Sequence, residues 1–395
     1  MLPGETVRAR PTQKRGDGFA AEAVALRDSS PERVVPPCPH AADCGGCALQ
    51  HWQISSYLAW KSGLLEAALR RAGYAPTLAP IVATAPHTRR RMDLAVRRDG
   101  SVLHLGLHAP RSRDIVDISD CQVLHPTLMT LLPALRSALK SITAVRREAD
   151  VICNLLDTGP DLLLRVDAEP TAPDRTRLAA FAHAHGILRI AWARGNGVPE
   201  IAVLSEAPRI RFTDTDVTPP PGAFLQASAD GEQAIVAAVL AGLPEKLPAR
   251  ARIVDLYAGC GTLTFALATR ARVAAYEGDA ASLAALRNAA NASGRAGRVE
   301  AQQRDLVRQP LTAKDLSAFA AVVLDPPHTG APVQIAQIAA SGVARVVYVS
   351  CNPAALARDA AVLRGAGYAL LAATPIDQFR WSARLESVSV FARQT

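Results

Sequence analysis

Apolar and polar residues alternate with a period of two through much of the first half of the chain. Between residues 88 and 211, short stretches such as VLHLGLH, DLLLRVDA and ILRIAWAR follow this pattern, and an Asp-Gly pair in RRDGS predicts a hairpin. Upstream, SSYLAWKSGLLEAALRRAG has helical spacing, and we expect Ser55 or Ser56 to cap this helix and Gly73 to end it. These patterns predict an α+β domain built around an antiparallel sheet.

The pattern changes after the three prolines at positions 219 to 221. Apolar strands then alternate with segments of helical length: ARIVDLYAG, RVAAYEGD, VEAQQRD, FAAVVLDPP, RVVYVSC, YALLAATPI and SVSVFAR. Helical segments separate the first five strands, which predicts right-handed crossovers and a parallel sheet. A shorter irregular loop joins the last two, which are expected to form an antiparallel edge. The sequence therefore predicts an α/β fold with a seven-stranded doubly wound sheet that binds ligands at the carboxyl ends of its strands.

These two patterns divide the chain into three regions. We predict an N-terminal segment at residues 1–36, a central α+β domain at 37–215 and an α/β domain at 216–395. No stretch approaches the roughly 18 apolar residues that cross a bilayer, and the N-terminus lacks the apolar region of a secretory signal. We therefore expect a cytoplasmic protein with no membrane partner. The sequence does not determine the oligomeric state, and a monomer is assumed.

Charge and cysteine content narrow the possible partners. Forty-four basic and 36 acidic residues give a net charge of +8, which suits a nucleic-acid partner, although an Arg-rich composition alone gives the same charge. The seven cysteines are an odd number in a chain without an export signal. A disulfide framework is therefore disfavoured, and metal binding or thiol chemistry is the better explanation.

Three cysteines lie close together near the start of the central region. Cys38, Cys44 and Cys47 have the spacing C-x5-C-x2-C, and Cys121 is the natural candidate for a fourth ligand. Four thiolates suit either an iron–sulfur cluster or a zinc ion, and spacing alone does not distinguish them. The glycine pair between Cys44 and Cys47 lets the backbone fold tightly around an inorganic centre, which favours the cluster.

A glycine-containing turn follows the first strand of the C-terminal region. Gly259 and Gly261 precede a helix, Glu277 ends the second strand and Asp305 ends the third. Acidic residues in these positions bind ribose hydroxyls in nucleotide-binding folds. Because Thr264 occupies the position of the third glycine in the dinucleotide fingerprint, an adenosine ligand without pyrophosphate, such as S-adenosylmethionine, is favoured. A tight turn without a ligand also explains the glycine pair taken alone.

Three reactive groups are expected at the same edge of the sheet. Asp325 precedes two prolines at the end of the fourth strand, and Glu386 begins the last strand. Cys351 follows the fifth strand, with Asn352 as the expected N-cap of a helix, so we expect the helix N-terminus to lower the thiol pKa. Most free cysteines are buried hydrophobes, and only the position at this edge favours chemistry. A thiolate beside a methyl donor suggests addition to C6 of uracil, methylation at C5 and removal of the C5 proton by a base.

The motifs VSCNPAALARD, DQFRWSARLESV and FLQAS resemble those of the S-adenosylmethionine-dependent RNA uracil-5-methyltransferases, which make 5-methyluridine in ribosomal and transfer RNA. The resemblance covers nearly the whole chain and implies a class I, Rossmann-like methyltransferase domain. It also implies that Cys351 is the nucleophile and Glu386 the proton-abstracting base. The positions matching the family's donor site are Gln226, Tyr257, Thr262, Glu277, Asp305 and Asp325.

Members that act on ribosomal RNA carry the C-x5-C-G-G-C pattern with a distant cysteine as a [4Fe–4S] site. The resemblance therefore implies that Cys38, Cys44, Cys47 and Cys121 hold such a cluster, and that the substrate is 23S ribosomal RNA. Residues 1–36 resemble the second half of a TRAM barrel. The alternatives are a transfer-RNA uracil-5 methyltransferase, which generally lacks the cluster, and a non-catalytic iron–sulfur RNA-binding protein, against which the intact catalytic pair argues.

Several other residues are candidates for RNA contacts. A phosphate-binding face and a solvated hairpin edge are both compatible with the basic residues Arg89, Arg90, Arg91, Arg97 and Arg98. Of the tryptophans, Trp381 is a better candidate for stacking on a base than Trp52 or Trp60. Three positions differ from the family pattern: Ser228 replaces Asn, His328 replaces Arg and Arg384 replaces His.

Overall fold

The structure is a computed structural model that describes residues 1–394. Its strands are β1 (Thr6–Arg15), β2 (Gly18–Asp28), β3 (Val82–Ala83), β4 (Arg91–Asp99), β5 (Val102–His108), β6 (Ile115–Val116), β7 (Glu148–Leu156), β8 (Gly159–Val166), β9 (Arg189–Arg194), β10 (Glu200–Leu204), β11 (Ile210–Phe212), β12 (Thr215–Val217), β13 (Arg252–Leu256), β14 (Arg272–Glu277), β15 (Val299–Gln303), β16 (Ala321–Leu324), β17 (Arg345–Ser350), β18 (Tyr368–Asp377) and β19 (Glu386–Arg393). Its helices are α1 (Ile54–Arg71), α2 (Pro126–Ser141), α3 (Ala172–Ala184), α4 (Ala229–Gly242), α5 (Thr262–Leu267), α6 (Ala280–Ala292), α7 (Ala313–Leu316), α8 (Pro332–Ser341) and α9 (Pro353–Gly365). Across residues 1–394, none of these helices has the length and apolar character needed to cross a membrane.

The N-terminal segment forms a two-stranded antiparallel hairpin of β1 and β2. The Glu5 carboxylate accepts hydrogen bonds from Nε and a terminal nitrogen of Arg33 at 2.6 and 2.7 Å. This ion pair ties the hairpin to the segment that leads to the first cysteine. Whether the hairpin belongs to a TRAM-like barrel stays a prediction.

The central region folds around a seven-stranded sheet in the order β10-β9-β8-β7-β4-β5-β6. All neighbouring strands are antiparallel except β8 and β9. The predicted hairpin is present, with Asp99 opposite Val102 and Gly100 at φ +60° in the turn. Apolar residues of the sheet pack with leucines of α2 and α3 in one core, including Leu94, Leu105, Leu128, Leu132 and Leu178. The α+β prediction for this region is confirmed.

The C-terminal region contains an eight-stranded sheet in the order β15-β14-β13-β16-β17-β19-β18-β3. Strands β13 to β17 are mutually parallel where they pair, and β19 runs antiparallel to both β17 and β18. The predicted seven strands and their antiparallel edge are therefore confirmed, and the two-residue strand β3 adds an eighth. The order reverses between β13 and β16, which is where a doubly wound sheet opens a crevice at its carboxyl edge.

Helix α1 and strand β3 pack on this C-terminal sheet, although they precede it by more than 150 positions in sequence. Strand β3 pairs with the end of β18, and α1 shares a core with β17, α9 and β18 through Leu65, Leu69, Tyr348, Leu363 and Tyr368. Neither predicted serine caps α1, because its N-cap is Gln53 and makes no side-chain capping bond. Gly73, at φ +90°, follows the helix end as predicted.

A buried ion pair fastens α1 to the end of β18. The Lys61 ammonium group contacts the Asp377 carboxylate and donates a hydrogen bond to the Phe379 carbonyl oxygen at 3.0 Å. The Lys61 side chain is fully buried, and burial lowers its pKa. Because a buried charge needs a partner, this pair fixes the start of the loop between β18 and β19.

Candidate active site

Cys351 lies at the carboxyl edge of the C-terminal sheet, directly after β17. The next residue, Asn352, caps α9 because its Oδ1 atom accepts a hydrogen bond from the Ala354 N–H at 3.0 Å. Pro353 occupies the first helical position, where a missing N–H costs nothing. The predicted strand, cap and helix are therefore confirmed, and the half-buried thiol lies at the helix N-terminus.

The charge environment of Cys351 differs from the expectation. Burial raises its pKa to about 11, the nearby carboxylates of Glu386 and Asp325 raise it as well, and only Arg384 among the charged neighbours opposes them. The prediction of a lowered thiol pKa was wrong because loss of hydration and two negative charges outweigh the helix N-terminus. Forming the thiolate in this site requires further help.

His328 is in direct contact with the thiol. Its Nδ1 atom lies 3.7 Å from Sγ of Cys351. On the other side, Nδ2 of Asn352 donates to the His328 carbonyl oxygen at 2.8 Å and lies 3.4 Å from Nε2 of the ring. The sequence marked this histidine only as a departure from the family pattern, so its contact with sulfur is a finding of the structure.

Glu386 is the first residue of β19, and its side chain is buried at 3% exposure. Its Oε2 atom accepts a hydrogen bond from Nε2 of Gln378 at 2.7 Å, whereas Oε1 has no hydrogen-bond partner. Burial raises the pKa of Glu386 well above its usual value, and the charge of Asp325 raises it further. A carboxylate held this way is a stronger base than one in water, with one oxygen free to accept a proton.

Two glutamine side chains join Glu386 to Asp325. Nε2 of Gln378 also lies 2.8 Å from Oε1 of Gln226, and Nε2 of Gln226 donates to Oδ2 of Asp325 at 3.1 Å. Oε1 of Gln378 accepts from the Ala227 N–H at 3.1 Å, which fixes the orientation of its amide group. Burial raises the pKa of Asp325 to about 6. Sequence reasoning did not single out Gln378, although it is the second residue of the DQFRWSARLESV motif.

The glycine-containing turn after β13 has the strained geometry expected of a close backbone approach. Tyr257 has φ +64°, and Gly261 has φ +101°. A Cβ atom on Gly261 would lie only 2.6 Å from the Phe265 ring. The Thr264 hydroxyl does not face the turn, because it donates a hydrogen bond to Oδ2 of buried Asp255 at 2.5 Å. The residue in the third glycine position therefore anchors the helix to its strand.

The acidic candidates follow neighbouring strands. Glu277 ends β14, where Oε2 accepts from the Gly259 N–H and Oε1 from the Asp279 N–H, both at 2.8 Å. Asp305 lies two residues after β15, and Oδ1 accepts from the N–H groups of Val307 and Arg308. Since β13, β14, β15 and β16 are parallel neighbours, Thr262 at the start of α5 and these carboxylates all lie at the carboxyl edge of the sheet.

Cys38, Cys44, Cys47 and Cys121 are partly exposed free thiols. Burial raises the pKa of Cys47 to about 11, and the charges of the other three thiols raise it too, so the four lie near one another. Among residues 1–394, no three or more His, Cys, Asp or Glu side chains are arranged closely enough to bind a metal ion. An iron–sulfur cluster is larger than one ion and is held by four cysteine thiolates, the donor set present here.

The backbone around these cysteines is tightly packed. A Cβ atom on Gly45 would lie 2.6 Å from the His108 carbonyl oxygen, so only glycine fits there. Immediately after Cys47, the N–H groups of Ala48 and Leu49 donate to the Trp381 carbonyl oxygen at 2.9 and 3.0 Å. The segment that carries Cys38, Cys44 and Cys47 is thus bonded directly to the loop that leads to Glu386.

Two expected RNA contacts have other roles. Trp381 is 8% exposed, and its backbone N–H donates to the Tyr57 hydroxyl at 2.7 Å. Because the side chain is buried, the prediction that it stacks on a base is wrong. Arg90 is buried and bonded to Glu232 and to the Gln226 carbonyl oxygen, and Arg98 donates to backbone carbonyls that include that of Val145. The phosphate-binding face is therefore wrong for these two arginines.

The remaining arginines of that set also contact the protein. Arg89 is partly buried, which lowers its pKa, and its Nε atom donates to the Arg91 carbonyl oxygen at 3.0 Å. Arg91 donates to the Ala223 carbonyl oxygen at 2.7 Å, and Arg97 pairs with Asp99 at the hairpin end. Several of these basic residues thus position the segment that carries Gln226.

Comparison with known proteins gives consistent matches. Residues 222–394 match the family model described as tRNA (Uracil-5-)-methyltransferase. A protein of Brucella suis biovar 1 named as an uncharacterized RNA methyltransferase is 39% identical over 392 residues, which cover 99% of this chain and 91% of that protein. The 23S rRNA (uracil(1939)-C(5))-methyltransferase RlmD of Chromohalobacter salexigens is 35% identical over 406 residues, which cover 100% of this chain and 84% of that protein.

A solved structure also covers nearly the whole chain. The Pyrococcus abyssi tRNA (uracil-54, C5)-methyltransferase in complex with S-adenosyl-L-homocysteine superposes with a TM-score of 0.71. The match covers 98% of this chain and 92% of that one at 22% identity, and it shows a shared fold.

Proposed function

The chain belongs to the RNA uracil-5-methyltransferase family, whose members use S-adenosylmethionine, and we propose that it methylates C5 of a specific uridine in 23S ribosomal RNA. One observation carries the proposed chemistry. Strands β17 and β19 are antiparallel neighbours with Ser350 opposite Ser387, so Cys351 and Glu386 lie side by side where the two strands meet the crevice. A nucleophile and a base are thereby brought together at the edge that carries the donor-site candidates.

Cys351 and Glu386 divide the reaction between them. The Cys351 thiolate adds to C6 of uracil, which makes C5 nucleophilic toward the donor methyl group. After methyl transfer, the free Oε1 atom of Glu386 removes the C5 proton. The C6–S bond then breaks, its electron pair returns to sulfur, and the C5–C6 double bond is restored. The raised pKa of Glu386 suits it to this last proton transfer.

We assign the donor to the crevice between the glycine-containing turn and the Gln226–Asp325 pair. Glu277 is fixed by two backbone N–H groups at the end of β14, the position that binds ribose hydroxyls in such folds. The left-handed backbone at Tyr257 and Gly261 lets main-chain atoms approach the donor. The proposed donor residues are Gln226, Tyr257, Thr262, Glu277, Asp305 and Asp325.

Ribosomal RNA is the favoured substrate because the RlmD relative spans the whole of this chain and because the four cysteines are present. We propose that Cys38, Cys44, Cys47 and Cys121 hold a [4Fe–4S] cluster. Its role would be structural. It would cross-link the segment that ends at Cys47, and the N–H groups of the next two residues, Ala48 and Leu49, bind the Trp381 carbonyl oxygen. Residues 1–36, 37–215 and 216–395 are proposed as the partial TRAM-like, central and catalytic regions.

Covalent trapping tests the activity. RNA containing 5-fluorouridine cannot lose the C5 substituent as a proton, so wild type with S-adenosylmethionine should form a complex that survives denaturation. Cys351→Ala should form none, and Cys153→Ala, which alters a buried cysteine in the central core, should behave as wild type. Trapping by Cys351→Ala contradicts the assigned nucleophile, and RNA binding without trapping by any variant favours a non-catalytic RNA-binding protein.

The same assay separates the two RNA substrates. Fluorinated 23S ribosomal RNA fragments and transfer RNA transcripts are offered in competition, and the RNA in the trapped complex is identified. We expect ribosomal RNA. Exclusive trapping of transfer RNA would replace the proposed substrate with the alternative one and leave the chemistry unchanged.

A further inference from the structure

We propose that the neutral imidazole of His328 donates a hydrogen bond from Nδ1–H to the Cys351 thiolate and thereby stabilises it. The proposal rests on the proposed function only in that Cys351 is the nucleophile. It starts from the contact between the two side chains, with Nδ1 of His328 3.7 Å from Sγ. His328 is exposed, whereas the thiol beside it is half-buried.

The N-cap of α9 determines which nitrogen of His328 carries the proton. Oδ1 of Asn352 accepts from the Ala354 N–H, so the amide nitrogen Nδ2 must point toward His328. One hydrogen on Nδ2 is directed to the His328 carbonyl oxygen at 2.8 Å, and the other faces Nε2 at 3.4 Å. Because an amide N–H faces it, Nε2 must be the unprotonated acceptor, and the neutral ring carries its proton on Nδ1.

That tautomer places a donor on the sulfur. A neutral ring with Nδ1–H cannot remove the thiol proton through Nδ1, but it can bond to the thiolate once the proton has gone. Protonating Nε2 would set two N–H groups against each other, which disfavours the imidazolium form. His328 therefore acts as a hydrogen-bond donor in this arrangement and not as a general base.

The surroundings of the sulfur explain why a donor is needed. Glu386 at the start of β19 and Asp325 after β16 both face it with negative charge, and Arg384 in the loop before β19 is the compensating cation. The N-terminus of α9 adds partial positive charge. His328, in the turn after β16, supplies a directed N–H without bringing a charge. A hydrogen bond to an ionised acceptor is about twice as strong as one between neutral groups.

The same bond is used twice in each turnover. The thiol first loses its proton to solvent, and the resulting thiolate forms the C6–S bond. When Glu386 has taken the C5 proton, that bond breaks and its electron pair returns to sulfur as a thiolate. Nδ1–H of His328 stabilises the nucleophile before the addition and the leaving group after the elimination.

Alkylation of Cys351 by iodoacetamide tests the proposal without RNA. The protein is labelled at several pH values without S-adenosylmethionine. The alkylation rate of Cys351 is measured by mass spectrometry on the peptide that contains it. His328→Asn keeps an amide N–H near the Nδ1 position, whereas His328→Gln places its amide near Nε2. We expect His328→Asn to retain most of the wild-type rate at about pH 8, and His328→Gln and His328→Ala to lose roughly tenfold or more, because a charge-assisted bond is lost.

The pH dependence of alkylation separates hydrogen-bond donation by His328 from a steric effect and from general-base catalysis. Loss of the donor should move the alkylation profile to higher pH with the same limiting rate, whereas a steric effect would lower the limiting rate. Equal alkylation rates in His328→Asn and His328→Gln would overturn the proposal. A wild-type alkylation profile with a step near the ordinary histidine pKa, about 6.5, would also overturn it, because such a step indicates that the histidine acts as a base. Circular dichroism and thermal unfolding confirm that the variants fold.

A second measurement keeps this proposal distinct from the proposed function. The rate of adduct formation on 5-fluorouridine RNA should fall in the same order as the alkylation rate. If alkylation depends on His328 in the expected order but no RNA adduct forms with wild type, the thiolate inference holds and the uridine chemistry fails. If adducts form equally well in all three variants and alkylation is unaffected, the thiolate inference fails and the uridine chemistry holds.

Discussion

The Gln378 side chain donates to Oε2 of Glu386 at 2.7 Å and leaves Oε1 of the same carboxylate without a partner. Gln378 directly follows β18 and Glu386 begins β19. Both therefore lie at the same end of the β18–β19 hairpin, where Ile376 is paired with Glu386. One oxygen is therefore held and the other is available. In the proposed mechanism, this arrangement fixes the carboxylate without using the atom that accepts the C5 proton.

Replacing Gln378 by Leu should impair the proposed base, and it also removes the contact with Gln226. The hydrogen bond from Gln378 lowers the pKa of Glu386 against the effects of burial and Asp325, so its loss raises that pKa further. The acid limb of the pH–rate profile for product release should move to higher pH, and release of free 5-methyluridine RNA near neutral pH should fall roughly 10-fold or more. Gln302→Leu, which changes an exposed glutamine of β15, is the matched control. An unshifted limb would contradict this role.

Glu386→Gln should stop the reaction after methyl transfer. The amide has nearly the shape of the carboxylate but cannot take the C5 proton, so the C6–S bond has no route to break. Ordinary, unfluorinated RNA should then accumulate as a denaturation-resistant complex carrying the transferred methyl group, seen as a gel shift labelled from the methyl donor. Glu300→Gln, an exposed residue of β15, should turn over normally. Free 5-methyluridine product from Glu386→Gln at the wild-type rate would rule out this base.

Lys61→Met should destabilise the fold. It leaves the Asp377 carboxylate, 316 positions away, as a buried charge without its partner. Breaking one side of a buried pair costs about 3–5 kcal/mol, which a lowered urea midpoint of unfolding would report. Lys246→Met, at an exposed lysine, should leave the free energy of unfolding within about 0.5 kcal/mol of wild type. Adding Asp377→Leu to Lys61→Met should recover part of the loss, and no recovery would mean that packing, not charge, is responsible.

Cys47→Ser should loosen the loop before Glu386. If a cluster cross-links the four cysteines, losing one ligand frees the segment whose Ala48 and Leu49 N–H groups bind the Trp381 carbonyl oxygen. Hydrogen exchange in the peptide spanning 378–385 should then accelerate, and iron content should fall. Cys153→Ser, outside the cluster segment, should change neither. Loss of iron with unchanged exchange in 378–385 would separate the cluster from the loop.

The positions of the reactive groups were predictable because they depend on local patterns. Strand periodicity and the Asn-Pro start of α9 placed Cys351 at the sheet edge, and the same reasoning put Glu386 at the start of β19. The thiol pKa was not predictable in this way. It depends on two carboxylates that come from other strands, and sequence does not give their distance from the sulfur.

Long-range contacts account for the other differences. Arg90 and Trp381 look like surface groups in sequence, yet Arg90 binds the Gln226 segment, and Trp381 is buried with its backbone N–H bonded to the Tyr57 hydroxyl. Gln378 lies in the DQFRWSARLESV motif, but its role follows from two partners, Gln226 and Glu386, brought together by the sheet. Such roles depend on which distant segments meet.

The packing of α1 and β3 on the C-terminal sheet also constrains the order in which the protein folds. During synthesis α1 emerges long before α9 and β18, the elements that bury its apolar face through Leu65 and Leu69. Contacts between such distant segments form slowly, because a large loop must close first. Until the last strands are made, the apolar face of α1 has no permanent partner within the chain. We therefore expect completion of the C-terminal sheet to be a late step in folding.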